Sequence, residues 1–142
     1  MIAFALDVVP PTKTAQQKRL KNVGGKPRFF HDKEQKTETE MLTALLMPHV
    51  PPQPISGATR LSIEVVWPYR QSDVNTRATR DREDLIPHTA KPDLDNWCKA
   101  FQDLLVALRF IEADQQVSTL VLRKHRGRDP GIHVKIDADE RS

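Results

Sequence analysis

The sequence predicts an α+β fold: a small mixed or antiparallel sheet of about four strands packed by two main helices. Two patterns carry that prediction. "LSIEVVW" alternates Leu61, Ile63, Val65 and Trp67 against Ser62, Glu64 and Val66, the period-two pattern of a strand with one buried face. Trp97, Ala100, Phe101, Leu104, Leu105 and Leu108 recur at steps of three and four, the pattern of a helix with one apolar stripe. The chain of 142 residues suits a single domain spanning 1–142, with one modest core.

"MIAFALDVV" reads as the first strand, ended by Pro10-Pro11. Residues 12–30 contain Gly24-Gly25 and a basic bias and read as a loop. From His31 to Met47 the pattern turns helical and Pro48 closes it. A proline-rich connector, "PHVPPQPISG", leads to the strand at 61–67, which Pro68 ends. Residues 69–90 are polar, Arg-rich and without period, and read as a second loop of unusual length. The Trp97–Leu108 helix follows, then a strand in "VSTLVLRKH", a turn in "RGRDPG" and a last strand in "IHVKI". The regions near 10–30 and 69–90 are expected to be mobile basic loops.

Net charge is only +3, but the charge is unevenly placed. Lys13, Lys18, Arg19, Lys21, Lys26 and Arg28 fall between Pro10 and Phe30 with no acidic residue among them. Arg123, Lys124, Arg126 and Arg128 form a second basic run, and Arg70, Arg77, Arg80 and Arg82 a third. Runs of this kind are either solvated loops or attractors of phosphate backbones. The single cysteine, Cys98, excludes an internal disulfide and any cysteine-based metal site, and fits a reducing compartment. The first residues lack the basic start and apolar length of a secretory signal, and no run reaches the length of a membrane span. A cytoplasmic protein with no membrane association is expected. Trp67 and Trp97 are expected in the core, and the five histidines show no metal-ligand spacing.

Against this basic background, Asp93 and Asp95 stand one residue apart at the mouth of the second helix. Either could cap it by accepting backbone N–H bonds from the first turn, which explains one aspartate and leaves the other. On an extended segment the two carboxylates share a face and repel unless a cation sits between them, and hard divalent cations favour such oxygen ligands. Lys99 lies one helical turn beyond Asp95, and Asp103 one turn beyond that, both equally able to form an ordinary surface pair. Glu112 and Asp114 precede the next strand. Three oxygen ligands and a lysine beside basic loops suit phosphodiester hydrolysis: a metal to activate water, an ammonium to stabilise growing negative charge.

"KPDLDNWCKAFQDLL" resembles the K/R-P-D-x-D-N-x-x-K helix start of the RusA family of Holliday junction resolvases. "ADQQVSTLVLRKH" is similar to that family's D-x-Q-V strand with its trailing basic pair, and "FALDVVPPTKTAQQKR" to its opening strand and loop. Ala113 departs from a pattern in which two adjacent aspartates are common, and the stretch 69–90 is longer than expected for the family.

The resemblance implies a RusA-like fold and a homodimeric, Mg²⁺-dependent endodeoxyribonuclease, with Mn²⁺ as an alternative ion. It would cut opposing strands of a four-way DNA junction in recombination and repair. It implies Asp93, Asp95 and Asp114 as catalytic, metal-binding carboxylates and Lys99 as the catalytic lysine, with Glu112 as a substitute ligand. Lys13, Lys18, Arg19, Lys26, Arg28 and Lys124 are the expected DNA contacts, with Phe29 and Phe30 as candidates for stacking at a branch point. The competing reading is a non-catalytic module that binds branched DNA.

Overall fold

Alternation along the central strand is what builds the core. In the computed structural model, Leu61, Ile63, Val65 and Trp67 are all buried on one face of β4 (Thr59–Pro68), as the period-two pattern predicts. The structure describes residues 1–12, 18–23, 26–31, 33–74 and 85–140, with side chains described over 1–12, 37–74 and 85–140. Lys13 and the Arg77, Arg80 and Arg82 group lie outside the described residues.

The strands are β1 (Ile2–Leu6), β2 (Lys18–Val23), β3 (Lys26–His31), β4, β5 (Ile86–Pro87), β6 (Val117–Gly127) and β7 (Gly131–Ala138). The helices are α1 (Lys33–Leu46) and α2 (Leu94–Ala107), with short 3-10 turns at Met47–His49 and Asp114–Gln116. Five strands form one sheet in the order β1-β7-β4-β6-β5. β4 and β6 run parallel, joined through α2, and the other neighbours are antiparallel. β2 and β3 pair separately as an antiparallel ribbon.

The α+β class with two main helices stands. The strand count is corrected: the sheet has five strands rather than about four, because β5 has two residues, too few to show a period. The loop reading of 12–30 is corrected where β2 and β3 pair, and that of 69–90 where β5 does. The register of the ribbon places Arg19, Lys21, Lys26 and Arg28 at positions that share one face.

The core joins the inward residues of β4 and β7 to Leu42 and Leu46 of α1 and to Trp97, Cys98, Phe101 and Leu105 of α2. Trp97 stacks on Phe101 at 5.1 Å between ring centroids, meets Trp67 edge-on at 6.1 Å and donates from Nε1 to the Pro11 carbonyl at 3.0 Å. Both tryptophans are therefore core, as expected. The helix-free face of the sheet forms a groove of about 650 Å³ lined by small residues (Ala3, Ala5, Ser62) and charged ones (Arg60, Glu64, Arg123).

α2 ends in a double cap. The Arg109 and Phe110 N–H groups donate to the Val106 and Leu105 carbonyls at 3.1 and 2.9 Å, with Arg109 left-handed at φ 68°. Phe110 and Ile111 are thereby turned into the core. Glycine is the residue that favours such a φ, so Arg109→Gly is expected to raise stability by about 1 kcal/mol, read as a higher denaturation midpoint.

Candidate active site

β4 and β6 both point their carboxyl ends at the start of α2, a place where sheets with parallel strands commonly bind ligands. Asp93 is the N-cap residue of α2, with extended backbone (φ −63°, ψ 129°), and its carbonyl accepts the first helical bond from the Trp97 N–H at 3.0 Å. Its side chain makes no capping bond. The capping explanation therefore does not account for the Asp93 carboxylate, which is exposed and has the Asn96 Nδ2 at 3.5 Å. Asp95 sits in the first helical turn and Lys99 one turn on, both exposed. Asp93, Asp95 and Lys99 are thus brought to one end of one helix.

The segment that presents them is tied to the sheet from below. The Lys124 ammonium donates to the Ala90 carbonyl, and to the Pro92 carbonyl at 2.6 Å. Desolvation lowers the Lys124 pKa, while the nearby Asp93 charge raises it. Lys124 can reach the segment because strand alternation divides the basic run. Lys124 and Arg126 pair in register with the inward Val65 and Trp67, whereas Arg123 and His125 pair with Glu64 and Val66 and look to the helix-free face. What reads as one DNA-contacting patch is split across two faces, and Lys124 holds the aspartate segment in place.

Two features beneath the site have no clear sequence signal. Asp73 is buried and accepts from the Arg70 backbone N–H at 2.8 Å and its Nε at 3.2 Å, bonds that hold its carboxyl below the usual range. Arg126 donates to the Pro68 carbonyl at 3.3 Å beside this pair. His88, to which the sequence assigned no role, is buried edge-on against Trp67 at 5.1 Å. Its Nδ1 accepts from the Ala90 N–H at 3.2 Å, and the His88 backbone N–H donates to the Lys124 carbonyl at 3.2 Å.

Burial first, then the Arg126, Lys124 and Arg70 charges, push the His88 pKa from 6.5 to about 4. Between these values the unfolded chain binds a proton that the folded chain refuses, so stability falls as pH drops from 6.5 towards 4. Wild type is expected to lose about 3 kcal/mol more than His88→Gln over that window, checked by thermal melts of both across the range.

Asp114 is elsewhere. It opens the 3-10 turn just before Val117, while Lys124 and the Asp93 segment are at the other end of the same strand. Val117 to Lys124 spans roughly 23 Å at the usual strand rise. Among the described residues no group of three or more His, Cys, Asp or Glu could hold a metal ion. The convergence of Asp93, Asp95 and Asp114 therefore does not occur within one chain, because α2 runs back along β6 and the intervening chain separates the two ends. Glu112 lies beside Asp114 at that far end.

The Asp114 turn is nonetheless built firmly. Gln116 Oε1 accepts from the Glu112 and Ala113 N–H groups, each at 2.9 Å. Its Nε2 lies 2.7 Å from the Ile55 carbonyl oxygen, 3.0 Å from Thr59 Oγ1 and 3.2 Å from the Gly57 carbonyl oxygen. Of the expected DNA contacts, Lys18 and Arg19 lie on β2, and Lys26 and Arg28 on β3. No helix among the described residues is long and apolar enough to cross a membrane.

The two exposed carboxylates are hard oxygen donors with room for water and phosphate oxygens, the coordination Mg²⁺ prefers. Comparison with known proteins is consistent with that chemistry. Residues 9–137 match the family model described as endodeoxyribonuclease RusA. A protein of Lactococcus phage r1t, named crossover junction endodeoxyribonuclease rusA, is 30% identical over 134 residues, covering 94% of this chain and 93% of that one. The uncharacterized protein YqaN of Bacillus subtilis (strain 168) is 30% identical over 90 residues, 62% of this chain and 63% of its own. With a match that takes in the helix start, the Asp114 turn and nearly the whole sheet, the chain belongs to the RusA family of endodeoxyribonucleases.

Proposed function

We propose that this chain resolves four-way DNA junctions as a divalent-metal-dependent homodimer, nicking opposing strands in recombination and repair. The observation that carries this reading is the Asp93–Asp95 pair, exposed at the start of α2 and left free by the helix cap. The phage relative, matched over 94% of this chain, carries the junction endonuclease name.

Asp93 and Asp95 would hold Mg²⁺, or Mn²⁺ in its place, through carboxylate oxygens. Bound there, the cation would acidify a water and neutralise charge on the scissile phosphate. Lys99 would place its ammonium against the negative charge that grows on the phosphate oxygens. Asp114 would complete the acidic set from a second copy, since its own chain holds it at the far end of β6. A two-fold dimer matches the two equivalent strands that a junction offers.

Lys13, Lys18, Arg19, Lys26 and Arg28 would contact phosphates, which fixes position without reading sequence and makes binding fall steeply with salt. Lys124, its ammonium committed to Ala90 and Pro92, acts on the reaction by positioning. Acting on DNA in this way, the protein would work in the cytoplasm.

The test is a gel assay on a synthetic four-way junction and a matched linear duplex, with Mg²⁺ and with EDTA. Paired nicks in the junction alone, dependent on Mg²⁺, are expected. Tight junction binding without cutting under any divalent metal would replace this reading with that of a binding module.

A further inference from the structure

The reading above, on which this inference rests, needs Asp93 and Asp95 in fixed positions, because a metal site works only when its donors are set to within about 0.5 Å. Neither carboxylate fixes itself. Both are exposed, and that of Asp93 makes no capping bond and meets the Asn96 Nδ2 at 3.5 Å. Their placement therefore comes from the backbone on either side. On the helix side, the Trp97 N–H donates to the Asp93 carbonyl at 3.0 Å, and the buried Trp97 ring meets Trp67 edge-on. On the other side, Ala90 is held at both of its polar groups. Its carbonyl accepts from the Lys124 ammonium, and its N–H donates to His88 Nδ1 at 3.2 Å. The buried His88 ring stands edge-on against the same Trp67, at 5.1 Å and 85°. One ring on the central strand thus supports both flanks of the aspartate pair. Trp67 Nε1 has no hydrogen-bond partner among the described residues, so packing sets the ring's place.

We propose that His88 is a positioning residue for the divalent cation: its Nδ1, locked in place by Trp67, fixes Ala90 and so sets how the chain delivers Asp93 and Asp95. A backbone N–H can only donate, so Nδ1 is the acceptor and the ring's proton is on Nε2. Ala90 is exposed, and water could take its N–H at little cost to stability. What a buried ring offers over water is a fixed position. The ring touches no metal, substrate or reacting atom, and acts through the short run from Ala90 to Asp93. Lys124 holds the same run from the carbonyl side, but its charge also acts on Asp93, so removing it would change field and geometry together. The His88–Ala90 bond can be removed with no change of charge.

The test uses the full chain and Mn²⁺ as the probe, with free ion read by electron paramagnetic resonance, beside junction nicking over a Mg²⁺ titration. In His88→Asn the amide oxygen sits on Cγ, where Nδ1 sits in histidine. In His88→Gln it sits one bond further out and cannot replace Nδ1. Both variants lose the ring and its contact with Trp67. Loss of a group that orients a metal ligand costs about 10–100-fold. His88→Gln is expected to weaken Mn²⁺ binding by about 10-fold and to raise the Mg²⁺ needed for half-maximal nicking by the same factor. Nicking at saturating Mg²⁺ and junction binding in EDTA should match wild type. His88→Asn should recover most of the Mn²⁺ affinity. As a second variant, lactic acid in place of Ala90 removes the N–H and leaves every side chain where it was, and the same weakening is expected.

Wild-type Mn²⁺ affinity in His88→Gln overturns the inference. So does an equal loss in His88→Gln and His88→Asn, which would make the ring's packing, and not the bond to Ala90, responsible. If His88→Gln does not fold, the ester at position 90 decides, and wild-type Mn²⁺ affinity there overturns the inference. If wild type binds Mn²⁺ and cuts no junction, the junction reading fails, and the Mn²⁺ comparison still decides the role of His88. If wild type binds no Mn²⁺, the metal site is absent and the inference falls with it.

Discussion

Asp95→Asn should lower junction nicking by more than about 100-fold while leaving junction binding equal or tighter. Removing a group that merely orients a metal ligand already costs 10–100-fold, and loss of a ligand itself should exceed that. Binding is spared because the change removes a negative charge facing phosphate. Asp95 is exposed in the first turn of α2, with no core contact at stake, so melting temperature should barely move. Nicking at the wild-type rate would remove Asp95 from the site. A large fall in melting temperature with unchanged cutting would make it a structural charge at a helix start.

Gln116→Ala is the second large effect, and it acts on both fold and chemistry. The amide links the Glu112 and Ala113 N–H groups to Ile55, in the segment before β4, and to Thr59 at the start of β4. Truncation strands several partly buried partners at once, and a loss of roughly 2–4 kcal/mol is expected. For a chain of this size that lowers the melting midpoint by on the order of 10 °C. Cutting should fall even at temperatures where the protein stays folded, because the turn carrying Asp114 loses its tether. Calorimetry and nicking at a temperature well below the transition separate the two consequences. Gln116→Glu keeps the acceptor but loses the donor, and should restore only the bonds from Glu112 and Ala113.

What could be read from the sequence was local. Leu61 to Trp67 show the β4 pattern in consecutive residues, and Trp97 to Leu108 show the α2 stripe within four turns. The Asp93–Asp95 pair is legible for the same reason: two residues of one turn share their surroundings whatever the rest of the chain does. The β2–β3 ribbon was missed because its two strands are rich in Lys and Arg, and Gly24-Gly25 serves as a loop marker as readily as the two-residue spacing of a hairpin. Lys124 could not be told from Arg123 without the register that turns one inward and the other out. The separation of Asp114 from Asp93 was illegible because it depends on the direction in which α2 returns along β6. Gln116 belonged to a recognised motif, yet its partners at Ile55, Gly57 and Thr59 are distant in sequence and gave no periodic signal.

The strand order has a consequence for synthesis. β7, which follows the other described strands in the sequence, lies between β1, which precedes them, and β4. Until Gly131–Ala138 leaves the ribosome, β1 has no neighbour in the sheet, and Ile132, Val134 and Ile136 are missing from the core. Folding must then wait for contacts between the two ends of the chain, which are slow to form. A chain truncated before β7 therefore carries its Asp93–Asp95 segment on an incomplete scaffold, and junction cutting is expected to require that strand.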